Sequence, residues 1–82
     1  MSDALALVLQ RAVRAERARL GISQAELATR VGWSRSRIAA VETGARRVYA
    51  HELPELCKAL EIQLPELVAR ASKDERHWLG MA

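Results

Sequence analysis

The chemistry this chain can do lies in a short run of hydrogen-bond donors. From Ser34 to Arg37 it reads Ser-Arg-Ser-Arg, and Arg46 and Arg47 follow a little further on. Arginine carries five N–H donors in a rigid fork that matches phosphate or the edge of guanine. Serine adds short donors that accept as well. This is equipment for holding a polyanion, not for catalysis. No nucleophile stands with a base, no glycine-rich loop cradles a phosphate, and no Cys and His fall at metal-ligand spacing. His51 and His77 are separate, and both are read as surface residues. Cys57 is the single cysteine and cannot form an internal disulfide. Its setting in the apolar run Leu-Cys-Lys-Ala-Leu makes it a buried structural thiol. The chain is therefore expected to bind rather than catalyse, with no enzymatic activity, cofactor or metal.

The elements that must position those donors lie between Ser23 and Gly44. Ser23 is a good N-cap, and Glu26 three residues later completes a capping box. A helix over 24–31 follows, and Gly32 stops it, since glycine takes the left-handed backbone a helix C-terminus wants. Ser34 caps a second helix over 35–43, with Ile38 and Val41 facing inward and Gly44 ending it. The connection is too short for antiparallel packing, so the helices are expected to cross steeply as a helix-turn-helix. The first turn of the second helix is then the donor-rich end, and double-stranded DNA is the expected partner.

The rest of the chain reads as support. Ala and Leu dominate, β-branched residues are few, and the aromatics are Trp33, Tyr49 and Trp78 with no Phe, a composition that predicts an all-α domain. Eighty-two residues bound it to one domain. A core unit over 10–71 is followed by a tail over 72–82. Helix 1 is predicted over 3–20, with Leu5, Val8, Leu9, Ala12, Val13, Glu16 and Leu20 on one stripe. Leu7 lies off the stripe, and Arg11, Arg14 and Arg19 lie mostly on wet faces. Helix 4 is predicted over 50–60, with Pro54 in its first turn, where a missing N–H costs little. Helix 5 is predicted over 64–71, starting raggedly because Gln63 is a poor cap. The expected core is Leu9, Val13, Leu20, Leu27, Ala28, Val31, Ile38, Val41, Leu53, Leu56, Leu60 and Leu67.

The net charge is only +3, but it is unevenly spread. Residues 10–47 carry nine basic groups against three acidic ones, a balance of +6, whereas residues 48–82 sum to −2 and Asp3 supplies the rest. Basicity gathered around one helix pair is the footprint expected for a polyanion, although a solvated arginine-rich surface would look the same. No apolar run reaches the length needed to span a membrane. Ala-Leu-Ala-Leu-Val-Leu lacks a preceding basic region, so it is not read as a secretory signal, and a cytoplasmic protein is expected.

Taken together, Arg17, Leu20-Gly21, Gln24, Ala28, Gly32, Ile38, Glu42 and Gly44, followed by Leu53 to Ile62 and Pro65-Glu-Leu-Val, resemble the phage-repressor (Xre/Cro-like) helix-turn-helix family over roughly residues 10–70. The resemblance implies a compact five-helix repressor-like domain, with helices 2 and 3 forming the helix-turn-helix and helix 3 entering the major groove. It places Ser34, Arg35, Ser36 and Ala40 toward base edges. Arg35 is the strongest reader, because arginine can contact guanine O6 and N7 together. Ala40 could touch only a thymine methyl. Phosphate contacts are implied for Gln24, Arg30, Arg46 and Arg47, with Arg14 as a further candidate, and for Arg37 in preference to a base contact. Arg17 and Glu42 are implied as an ion pair between helices 1 and 3 that fixes the angle of the recognition helix. Trp33 stands in the turn where the family carries smaller residues. It is read as partly packed, with an indole-to-phosphate contact as the other reading. Glu61 stands where the family often has glycine. Trp78, Leu79 and Met81 add apolar residues to the tail. They either pack on their own domain or, with helix 5, form a dimer surface.

The function implied is a sequence-specific transcriptional regulator of repressor type, a homodimer on a palindromic operator. Repression would follow from occupying a promoter, and activation from contacting polymerase. Two alternatives stay open. One is an antitoxin that binds its toxin through the tail and also binds its own promoter. The other is a protein-binding adaptor, against which the arginines clustered around helix 3 argue.

Overall fold

A computed structural model describes the backbone of residues 3–70 and the side chains of residues 9–70. The side chains of Leu5, Leu7 and Val8, together with Ala71 and the tail bearing His77, Trp78, Leu79 and Met81, lie outside the described residues. The chain forms α1 (Asp3–Leu20), α2 (Gln24–Val31), α3 (Arg35–Thr43) and α4 (Leu53–Ala59). A further helix, α5, runs over 64–70, and no strand occurs among the described residues. The fold is all-α, as expected.

Local chemistry sets the ends of α2 and α3. The Ser23 hydroxyl accepts the Glu26 N–H at 3.0 Å, and the Ser34 hydroxyl accepts the Arg37 N–H at 3.1 Å. Each helix closes on a glycine in the left-handed region, Gly32 at φ 82° and Gly44 at φ 83°. The Gly32 N–H returns to the Ala28 carbonyl at 2.8 Å, and the Trp33 N–H donates to the same oxygen at 2.9 Å. A Cβ at Gly44 would also lie 2.6 Å from Gln10 Oε1, the mobile end of a side chain. Gly44→Ala therefore carries backbone strain of about 1–2 kcal/mol, partly offset by a stiffer unfolded chain. The expected net loss is about 1 kcal/mol in urea unfolding; no change in midpoint would show that the end of α3 relaxes freely.

Helix 4 departs from expectation at its start. Residues 50–52 form a 3-10 turn, and the α-helix begins at Leu53. Pro54 is the physical cause: inside a continuous helix its ring would meet the carbonyl four residues back, at Ala50. At α5 the Leu67 N–H bonds the Gln63 carbonyl at 2.9 Å, the first bond of the helix. Glu61 adopts φ 55°, the left-handed conformation a glycine takes freely.

The core gathers around Val13, Leu27, Ile38, Leu56, Leu60 and Leu67, all fully buried. Leu9, Ala28 and Val41 are buried as expected, whereas Leu20, Val31 and Leu53 sit half-buried at the margin. Val48 and Ile62, from the two connections around α4, join the core unannounced by any helical stripe, as does Ala59. Arg11 is half-buried rather than on a wet face. Cys57 is buried, and that burial pushes its thiol pKa up, as suits a packing residue. Helix α2 packs on α3 and α4, and α1 packs on α3. No described helix is long and apolar enough to cross a membrane.

Candidate nucleic-acid interface

One buried carboxylate, Glu42, ties α3 to the helices before it. Glu42 receives Arg17 Nε at 2.8 Å and Arg17 Nη2 at 3.1 Å, a two-pronged pair linking α1 to α3. Arg17 Nη1 donates to the Ile22 carbonyl at 2.9 Å, so the same guanidinium also fixes the entry into α2. Gln24 Nε2 reaches Glu42 Oε1 at 3.3 Å. The bonds to Glu42 raise the Arg17 pKa against the opposing effect of burial. Three helices thus converge on Glu42, and Arg17 and Glu42 form an ion pair between α1 and α3. Gln24 joins them. Its amide nitrogen keeps a second N–H, so a bond to Glu42 is compatible with a phosphate contact.

The first turn of α3 is turned outward. Ser34, Arg35 and Ser36 are exposed, and Ala40 is half-buried. The Ser34 oxygen is used as the helix cap, which leaves its O–H free to donate. Among the described residues Arg35 has no side-chain hydrogen bond or ion pair. Beyond the helix, Arg46 and Arg47 are exposed on the loop. The Arg46 N–H donates to the Ala40 carbonyl at 3.1 Å, holding the start of that loop against α3.

Two arginines expected on phosphates are engaged within the fold. Arg30 Nη1 donates to Glu61 Oε2 at 2.9 Å and to the Ala59 carbonyl at 3.3 Å, and Glu26 lies 3.7 Å from its other nitrogen. It joins α2 to the C-terminal end of α4, where a cation is favoured by the helix dipole. Arg37 lies with its guanidinium carbon 3.7 Å from the centre of the Trp33 ring and pairs with Glu52. Trp33 itself packs partly against the core, in line with the packed reading.

Sequence reasoning missed a second ionic cluster. Buried Glu16 receives Arg19 Nε at 2.6 Å and Arg70 Nη1 at 2.9 Å. Arg19 Nη2 also bonds the Leu60 carbonyl at 3.1 Å, so the cluster joins α1 to the end of α4 and to α5. The signal was a glutamate on an otherwise apolar stripe, since a buried charge needs partners. Glu52 was missed too, although it stands three residues after Tyr49, the capping-box spacing. No group of metal-ligating side chains occurs among the described residues.

A short helix pair held to α1 by the Arg17–Glu42 ion pair, with an arginine exposed in the first turn of its second helix, defines a helix-turn-helix protein. The chain belongs to the Xre-like helix-turn-helix family, whose pattern matches residues 13–67. The structure of the clp gene regulator ClgR from C. glutamicum is similar, with a TM-score of 0.79 and 27% identity over 85% of this chain and 91% of that one. The restriction-modification controller protein C.AhdI from Aeromonas hydrophila is 34% identical over 82% of this chain and 99% of its own, with a TM-score of 0.71. The wild-type controller protein C.Esp1396I, at 23% identity and a TM-score of 0.78 over 89% of this chain and 94% of that one, shares the fold. Comparison with curated proteins finds no match.

Proposed function

We propose that this protein is a sequence-specific DNA-binding transcriptional regulator of the cytoplasm, a binding protein rather than an enzyme. It acts as a homodimer on a palindromic operator, with α3 in the major groove, and represses by occupying a promoter. The observation that carries this reading is the first turn of α3. Arg35 projects there without a partner among the described residues, on a helix held by Arg17 and Glu42. An adaptor has no use for such an arginine, whereas a guanine edge matches it. Arg46 supplies sequence-independent affinity by displacing counterions from phosphates.

The dimer follows from how little one copy can read. One long donor, two serines and an alanine address few base pairs, and a second copy doubles the site. An apolar cleft of about 450 Å³, lined chiefly by Leu9, Val48, Tyr49, Leu53, Leu64 and Val68, offers the surface. Tyr49, Leu64 and Val68 are 56%, 39% and 41% exposed there, an apolar cost that a second copy would remove. Leu64→Arg is expected to give a monomer in sedimentation equilibrium while the wild type sediments as a dimer; a dimer that persists in the variant would move the interface elsewhere.

The DNA reading is tested by salt titration of binding to a mixed-sequence duplex. Log affinity is expected to fall steeply with log salt, and Arg46→Ala to make that slope shallower by about 0.9 per copy bound. An unchanged slope would remove Arg46 from the interface, and no binding at low salt would overturn the function.

A further inference from the structure

Arg37 points back into the protein, and its two partners lie on two other segments. The guanidinium stacks on Trp33 of the turn, 3.7 Å from the ring centre. One nitrogen pairs with Glu52 Oε2. The other oxygen of Glu52 accepts the Tyr49 N–H at 2.9 Å, and the Glu52 N–H bonds the Tyr49 carbonyl at 2.9 Å. The Arg46–Tyr49 loop is therefore tied to α3 at both ends. At the near end the Arg46 N–H holds the Ala40 carbonyl, and at the far end Glu52 carries Tyr49 to Arg37. Val48, buried between them, pins the middle.

We propose that Arg37 is a positioning residue and not a phosphate contact: with Trp33 and Glu52 it forms a clamp that sets the Arg46–Arg47 loop in register with the recognition helix. The clamp rests on the DNA-binding reading and deepens it. It fixes the spacing between the backbone anchors, Arg46 and Arg47, and the base reader, Arg35. Swinging Arg37 out to a phosphate would abandon the Trp33 face and leave the Glu52 carboxylate, only 11% exposed, unpaired close to DNA. Burial and the nearby positive charge of Arg46 lower the Arg37 pKa, and the negative charge of Glu55 acts against them.

The clamp makes a prediction opposite to simple electrostatics. Removing an acidic group from a DNA-binding protein ordinarily strengthens binding. Glu52→Gln is expected instead to weaken binding to the best duplex recovered from a random-sequence selection, on the order of tenfold, and to flatten the salt slope as Arg46 and Arg47 lose register. Arg37→Lys, which keeps the charge but loses the flat fork, is expected to be similarly impaired, and the double variant no worse than either single one. A Glu52→Gln variant that binds as well as the wild type or better, or an Arg37→Lys variant close to wild type, would overturn the clamp and return Arg37 to the phosphates. Amide exchange supplies a readout independent of DNA. The Tyr49 N–H is expected to exchange slowly in the wild type and faster in both variants, and equal rates would overturn the clamp. If the wild type binds no duplex at all, the DNA-binding reading fails, and the exchange rates alone decide whether the three residues act together.

Discussion

Glu42→Ala is expected to destabilise the domain by about 2–4 kcal/mol in urea unfolding. Breaking a buried ion pair by removing one partner typically costs about 3–5 kcal/mol, because the survivor is left charged and unpaired. The lower value here follows from Arg17, whose side chain retains 20% exposure and can recover some water. Alanine at 42 strands two N–H donors of Arg17 and the one from Gln24. Glu42→Gln separates charge from packing. It keeps the volume and one acceptor, and is expected to cost about half as much. Against an unfolding free energy of about 5–15 kcal/mol for a domain, the alanine variant would leave little margin. DNA binding is expected to fall further than stability alone explains, because the variant that stays folded holds α3 less firmly. A loss below about 1 kcal/mol for Glu42→Ala would mean that desolvation cancels the pair and the brace contributes orientation only.

Arg35→Ala is expected to remove about 1–3 kcal/mol of discrimination at one base pair per half-site, a change of roughly 5–150-fold in preference. The alternatives differ sharply in outcome. A base reader loses affinity on the selected sequence and little on mixed-sequence duplex, whereas a phosphate contact loses the same factor on both. Competition binding with single-base variants of the selected site would locate the lost preference. Arg35→Lys keeps the charge but cannot match both guanine acceptors with a planar fork, so it is expected to retain most affinity for mixed duplex and little selectivity.

The contrast between these residues explains what could be read in the sequence. Ser23, Gly32, Ser34 and Gly44 act on backbone groups within a few residues of themselves. The bounds of α2 and α3 were therefore legible from spacing alone. Glu42 and Arg17 became legible only through the family resemblance, since nothing local pairs residues so far apart. Arg37 and Arg30 illustrate the limit. Composition marks an arginine as a donor but says nothing of which acceptor folds toward it, and Glu52 and Glu61 come from segments distant in the chain. Val48 and Ile62 fell outside any periodic stripe because connections have no period, yet both reach the core. The 3-10 turn ahead of α4 turned on a single ring, that of Pro54, which sequence reasoning had placed in the first helical turn without counting back to Ala50. Glu16 lies on the stripe with Arg19 three residues on in the same helix, whereas its other partner, Arg70, comes to it only with α5 packed beside α1.

The outward turn of α3 is proposed to read base sequence. Selection of bound duplexes from a random library by the full chain tests it most directly. Enrichment of a two-fold-symmetric site with a guanine at one invariant position in each half is expected, and is lost when the library is selected with Arg35→Ala. Binding without enrichment of any sequence would contradict it, and would leave Arg35, Arg46 and Arg47 as a phosphate-binding surface alone.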